Sequence, residues 1–142
     1  MKAFFDTSSL FKLYHNEPGS EDILKFLELQ RIESFYLAEI TIIEFSSVIW
    51  RKYKKAEIDK EIALMLISKF EKDAEKFSFV PDTYSLKKIA KQLIAKYWQA
   101  GLRTLDSIQL ASGVIIKSEI DYFFTSDKVL GNIAHQEGLS VL

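Results

Sequence analysis

The stretch KAFFD (2–6), running straight into TSSL (7–10), decides the fold. Ala3, Phe4 and Phe5 are apolar without alternation, as a strand covered on both faces must be, and the run ends on the carboxylate of Asp6. Strands of that kind belong to parallel sheets packed between helices. Such sheets keep their chemistry just beyond the carboxyl ends of their strands, which is where Asp6 falls.

Outward from this stretch, short apolar runs alternate with longer segments of helical period. FYLAEI (35–40), FSFV (77–80), DYFFT (121–125) and LSVL (139–142) read as further strands, for about five in all. Between them, SLFKLYHN (9–16), SEDILKFLELQRI (20–32), TIIEFSSVIWRKYKK (41–55) and EIDKEIALMLISKFEKDAEKF (57–77) read as helices. TYSLKKIAKQLIAKYW (83–98), TLDSIQLASGVIIKS (104–118) and SDKVLGNIAHQ (126–136) complete the helical set. Ser20 is expected to cap its helix, Pro81 to stop the third strand and Gly101 to end a helix. No linker or repeat divides the chain, so residues 1–142 are expected to form one α/β domain around a mainly parallel sheet.

Composition narrows the functions. With 19 Lys and Arg against 20 Asp and Glu, the net charge of −1 gives no global attraction to polyanions, so any nucleic acid needs a local site. The absence of cysteine removes a thiol nucleophile, a disulfide scaffold and cysteine-held zinc. The most apolar stretch, ITIIEFSSVIW (40–50), falls short of the ~20 residues of a membrane span and carries Glu44. A cytoplasmic protein with no membrane contact is expected.

Four acids stand at strand ends or in first helical turns: Asp6, Glu44, Asp106 and Asp127. Each has a plain structural reading. Asp6 and Asp127 suit helix caps, and Thr41 with Glu44 has the spacing of a capping box. Asp106 suits the positive end of a helix dipole, at the rim of a core that Leu105 and Ile108 should face. Taken together, four carboxylates converging on one point would repel, and a divalent cation relieves that repulsion. An all-oxygen set without His or Cys favours Mg²⁺ or Mn²⁺, and such an ion supports phosphodiester hydrolysis without a protein nucleophile.

DTSSL (6–10), Glu44 within ITIIEF, LRTLDSIQLASG (102–113) and FFTSDKVL (123–130) resemble, in order, the four acidic motifs of the PIN domain, with the greatest likeness to VapC-type toxins of toxin–antitoxin pairs. That resemblance implies a three-layer α/β/α sandwich and a Mg²⁺- or Mn²⁺-dependent endoribonuclease. It implies Asp6 and Asp106 as main metal ligands, Glu44 completing the cluster, and Asp127 holding a second ion or orienting water. Ser8 and Thr125 match positions that support the first and last acids. A cognate antitoxin, an RNA substrate and a homodimer follow as expected partners. An RNA-processing nuclease outside a toxin system, or a non-catalytic interaction module with the acids as caps, are the alternatives. Phosphatase and receiver folds fit less well, because Ser8 stands where the former needs a second Asp and Asp6 lacks the acidic neighbour of the latter.

Among the cations, Arg51 and Lys52 in RKYKK (51–55) and Lys128 beside Asp127 are candidate phosphate contacts, set against solvated helix ends. His15 and His135 lack partners at ligand spacing and read as solvated. Phe11, Tyr14, Trp50 and Tyr53 are expected to line an apolar groove for a partner helix if exposed.

Overall fold

The computed structural model describes all residues from Met1 to Leu142. Four strands form one all-parallel sheet: β1 (Lys2–Phe5), β2 (Ser34–Ala38), β3 (Ser78–Val80) and β4 (Tyr122–Phe124), in spatial order β3-β2-β1-β4. The expected fifth strand at 139–142 is reduced to a single parallel bridge between Val141 and Phe123. The tail still extends the sheet edge, since Phe123 and Thr125 donate their amides to the Ser140 and Leu142 carbonyls.

Seven helices sort onto the two faces by chain order. α1 (Thr7–Tyr14), α2 (Ser20–Leu29), α3 (Thr41–Lys54) and α4 (Lys60–Asp73) cover one face, packing on Ala3, Phe5, Leu37 and Phe124. α5 (Tyr84–Tyr97), α6 (Thr104–Ile115) and α7 (Lys128–Gln136) cover the other, on Phe4, Ala38, Val80 and Phe123. The molecule is therefore the three-layer α/β/α sandwich, with two cores separated by the sheet. Ser20 is already helical, behind Gly19 in the left-handed region, and its hydroxyl instead accepts from the Glu17 amide.

Register matters most between β1 and β4, because Asp6 and Asp127 follow their ends. Phe4 stacks on Phe123 at 5.0 Å on one face, and Phe5 stacks on Phe124 at 4.4 Å on the other. Two aromatic pairs on opposite faces penalise any slip, since a one-residue shift would send both rings to the wrong side. Helix α6 lies close on this lock: a Cβ at Gly113 would sit 2.6 Å from the Phe123 ring. Glycine is what permits that approach, and it seats the helix that bears Asp106.

Candidate active site

The strand order reverses direction at β1, with β2 and β3 on one side and β4 on the other, so the crevice for chemistry opens beyond the ends of β1 and β4. Asp6 leaves β1 there and is only 4% exposed. It caps α1, accepting from the Ser9 amide at 2.8 Å and the Ser9 hydroxyl at 2.7 Å. Ser8 donates to the same carboxylate at 2.9 Å and Thr125 at 2.6 Å. Thr125 in turn accepts the Asp127 amide at 3.1 Å, and Ser8 accepts the Ser126 amide at 3.3 Å. These bonds sew the end of β1 to the end of β4. Even so, burial outweighs the four donors and pushes the Asp6 carboxyl up.

Beside Asp6 opens a cleft of about 670 Å³ whose wall includes Glu44, Arg51, Arg103, Asp106 and Asp127. Glu44 projects from the first turn of α3. The capping box does not form: the helix has no side-chain cap, and Thr41 is fully buried. Glu44 Oε1 accepts instead from Gln109 Nε2 at 2.7 Å and from the Thr7 hydroxyl at 3.3 Å. Burial raises the Glu44 carboxyl, with the Asp6 charge adding to it and Gln109, Thr7 and Arg51 opposing.

Asp106 sits in the first turn of α6. Burial pushes its carboxyl up first, then the negative charges of Asp127, Asp6 and Glu44, with Arg103 opposing. Asp127 caps α7 through the Leu130 amide at 2.9 Å. Capping is thus real for Asp6 and Asp127, and Thr125 links the two caps by donating to the Asp6 carboxylate and accepting the Asp127 amide. All four acids meet at one end of the sheet, each delivered by a different element. No three of them are already drawn to the separations at which side chains share an ion. The donor chemistry nevertheless fits a hard cation: carboxylate oxygens only, mutually repelling, with no His in the cleft wall.

The cations divide. Arg51 lines the acidic cleft, whereas Lys52 turns away, pairing with Glu17 and, at 3.2 Å, with Glu57, and lying over the Phe11 ring. Lys128 is exposed in a neighbouring depression with Asp127 and His135. His15 is half-buried against Phe11 at 5.8 Å, not solvated, because it terminates α1 over the core. The expected aromatic groove does not exist as a unit. Phe11 is 1% exposed, and Tyr14 is half-buried and donates to Asp73; only Trp50 and Tyr53 are exposed.

Sequence reasoning missed Thr7, Gln109 and Arg103, and read Thr41 only as a helix cap. Gln109 was detectable in principle as a polar residue three positions after Asp106, set between the apolar Ile108 and Leu110.

A buried parallel sheet with four acids around its switch point defines a nuclease-like α/β/α domain class, and the chain belongs to the PIN domain family, which it matches over residues 3–136. The structure of FitAcB from Neisseria gonorrhoeae is similar with a TM-score of 0.69 at 17% identity, over 99% of this chain and 96% of that one. VapC20 from Mycobacterium tuberculosis, a sarcin–ricin-loop-cleaving toxin, is similar with a TM-score of 0.69 at 14% identity, over 96% and 95% of the two chains. VapBC2 from Rickettsia felis, bound to a DNA fragment from their promoter, gives a TM-score of 0.65 at 12% identity, over 100% and 98%. Among curated proteins none matches this chain in sequence. No helix is long and apolar enough to cross a membrane.

Proposed function

We propose that the chain is a Mg²⁺- or Mn²⁺-dependent endoribonuclease, the toxin of a toxin–antitoxin pair. The observation that carries this reading is the convergence of Glu44, Asp106 and Asp127 on one open cleft, with Asp6 outside its wall yet close enough for its charge to act on Glu44 and Asp106. When bound, the metal supplies neutralisation of the acids and an acidified water for hydrolysis. Asp6 and Asp106 would be its main ligands, and Glu44 would complete the set. Asp127 would orient the attacking water or serve a second ion. Ser8 and Thr125 hold Asp6 in place, and Arg51 meets a substrate phosphate at the cleft wall.

Membership of the PIN family supports nuclease chemistry, and the fold shared with a sarcin–ricin-loop-cleaving toxin supports RNA as the substrate and the toxin role. A protein antitoxin and a homodimer are the proposed partners. Exposed Ile43, Trp50 and Tyr53 along α3 support a protein-covered face beside the cleft. The test is cleavage of a structured RNA with Mn²⁺. Asp6→Asn and Asp106→Asn are each expected to lower the rate by at least 10³-fold while circular dichroism stays unchanged. Full cleavage by either folded variant would overturn the reading.

A further inference from the structure

Gln109 is 2% exposed, in α6 between Ile108 and the buried Leu110 and Ala111. Its Nε2 lies 2.7 Å from Glu44 Oε1, 3.0 Å from Thr7 Oγ1 and 3.0 Å from Thr41 Oγ1. One amide nitrogen with two hydrogens therefore faces three acceptors on two other helices, while its own Oε1 is buried with no partner. Packing alone does not explain this choice. An aliphatic residue at this position would fill the core without stranding an oxygen, and a stranded buried acceptor is costly. What the amide delivers that an aliphatic side chain lacks is an N–H at Glu44, and the shortest of the three contacts is that one.

Geometry gives the N–H a purpose. Asp106 and Gln109 stand three residues apart on α6, so they share a face of that helix. A bond from Gln109 to Glu44 therefore ties an acid of α3 to the helix that carries Asp106. Without that bond, Glu44 is left with Thr7 and with Arg51, two turns further along its own helix and lining the same cleft. Thr7 and Thr41, with their hydroxyls 3.4 Å apart, seat the amide from the far side and fix its direction.

We propose that Gln109 is a positioning residue: it indexes the Glu44 carboxylate to Asp106 across the α3–α6 gap and so pre-forms the pair to receive a divalent cation. The inference rests on the metal-dependent reading above. Such outer partners typically alter metal affinity or activity by about 10- to 100-fold when removed.

The experiment is a double-mutant cycle on Mn²⁺ affinity, read by calorimetry in the absence of RNA, with RNA cleavage as a second readout. Gln109→Met keeps the volume and removes the N–H. It is expected to weaken Mn²⁺ binding about 10-fold or more and to raise the Mn²⁺ needed for half-maximal cleavage equally, with KM for RNA unchanged and thermal stability held or improved. In a Glu44→Gln background the same substitution is expected to change Mn²⁺ affinity less than 2-fold, because its effect passes through Glu44. Unchanged affinity in folded Gln109→Met, or losses that simply add in the double variant, would overturn the role of Gln109 while leaving the metal reading intact. Absence of Mn²⁺ binding by the unmodified protein would overturn the metal reading and this proposal together. Should Gln109→Met fail to fold, Thr41→Val removes one of the seating hydroxyls at constant shape; weakened Mn²⁺ binding there supports the proposal, and unchanged binding refutes it.

Discussion

Replacing Asp106 with Asn is expected to stabilise the metal-free protein and to abolish its response to metal. Asp106 gains something from Arg103 and from its place in the first turn of α6, yet its carboxyl is raised overall. Burial and the charges of Asp127, Asp6 and Glu44 therefore outweigh what favours its ionisation. The side chain is partly solvated, so screening trims the repulsion, and removing the charge is worth on the order of 1 kcal/mol at neutral pH. For a chain of 142 residues, 1 kcal/mol moves the melting temperature by about 3 °C. Mn²⁺ at about 100 times its dissociation constant stabilises a folded state by about 2.7 kcal/mol, here about 8 °C. Scanning calorimetry with and without Mn²⁺ reads both effects. Asp106→Asn should melt about 3 °C above the parent without metal and show little of the rise of about 8 °C with it. A variant that melts lower without metal, yet still rises like the parent, would refute the picture of a repelling cluster relieved by a cation.

Asp6, Glu44 and Asp106 all hold their protons to higher pH than unfolded carboxyls do. The folded state thus binds more protons between the ordinary carboxylate values and the raised ones, and metal-free stability should fall as pH climbs through that window, with the full benefit retained below it; urea titrations across acidic pH check this, and a flat profile contradicts it. Gly113→Ala should destabilise the fold by about 1–3 kcal/mol, because the new methyl group meets the Phe123 ring, and denaturation midpoints will show it. Arg51→Ala should raise KM for RNA about 10-fold and flatten its salt dependence, whereas Lys52→Ala, occupied with Glu17 and Glu57, should change KM less than 2-fold. Equal effects from the two would refute the division between them.

Much of this molecule was legible in its sequence because its signals are strong where burial is complete. KAFFD and DYFFT announce strands covered on both sides, and the alternation of strand and helix gives the parallel sheet. The four acids were visible as residues, but not what each carboxylate touches. Thr41 and Glu44 have capping-box spacing, yet tertiary partners from α1 and α6 take both side chains instead. Leu105 was expected to face the core and is 47% exposed, while Ser107, Gln109 and Ser112 are buried. A helix enclosed by α5, α7 and the sheet buries nearly its whole circumference, so an apolar stripe no longer marks its inner side. The aromatic groove failed for a related reason. Phe11 lies under Lys52 rather than in solvent, and no periodicity in a single segment reports what another segment lays over it.

The pairing of β1 with β4 sets a timetable for synthesis. A ribosome releases β1 first and its neighbour β4 last, so through most of translation β1 has an open flank and Asp6 lacks the hydroxyl of Thr125. A chain halted before α6 carries Asp6 and Glu44 alone, without Gln109 to hold the second of them. Whatever activity the proposed site has therefore arrives as a late event in the life of the nascent polypeptide, once the final elements have emerged.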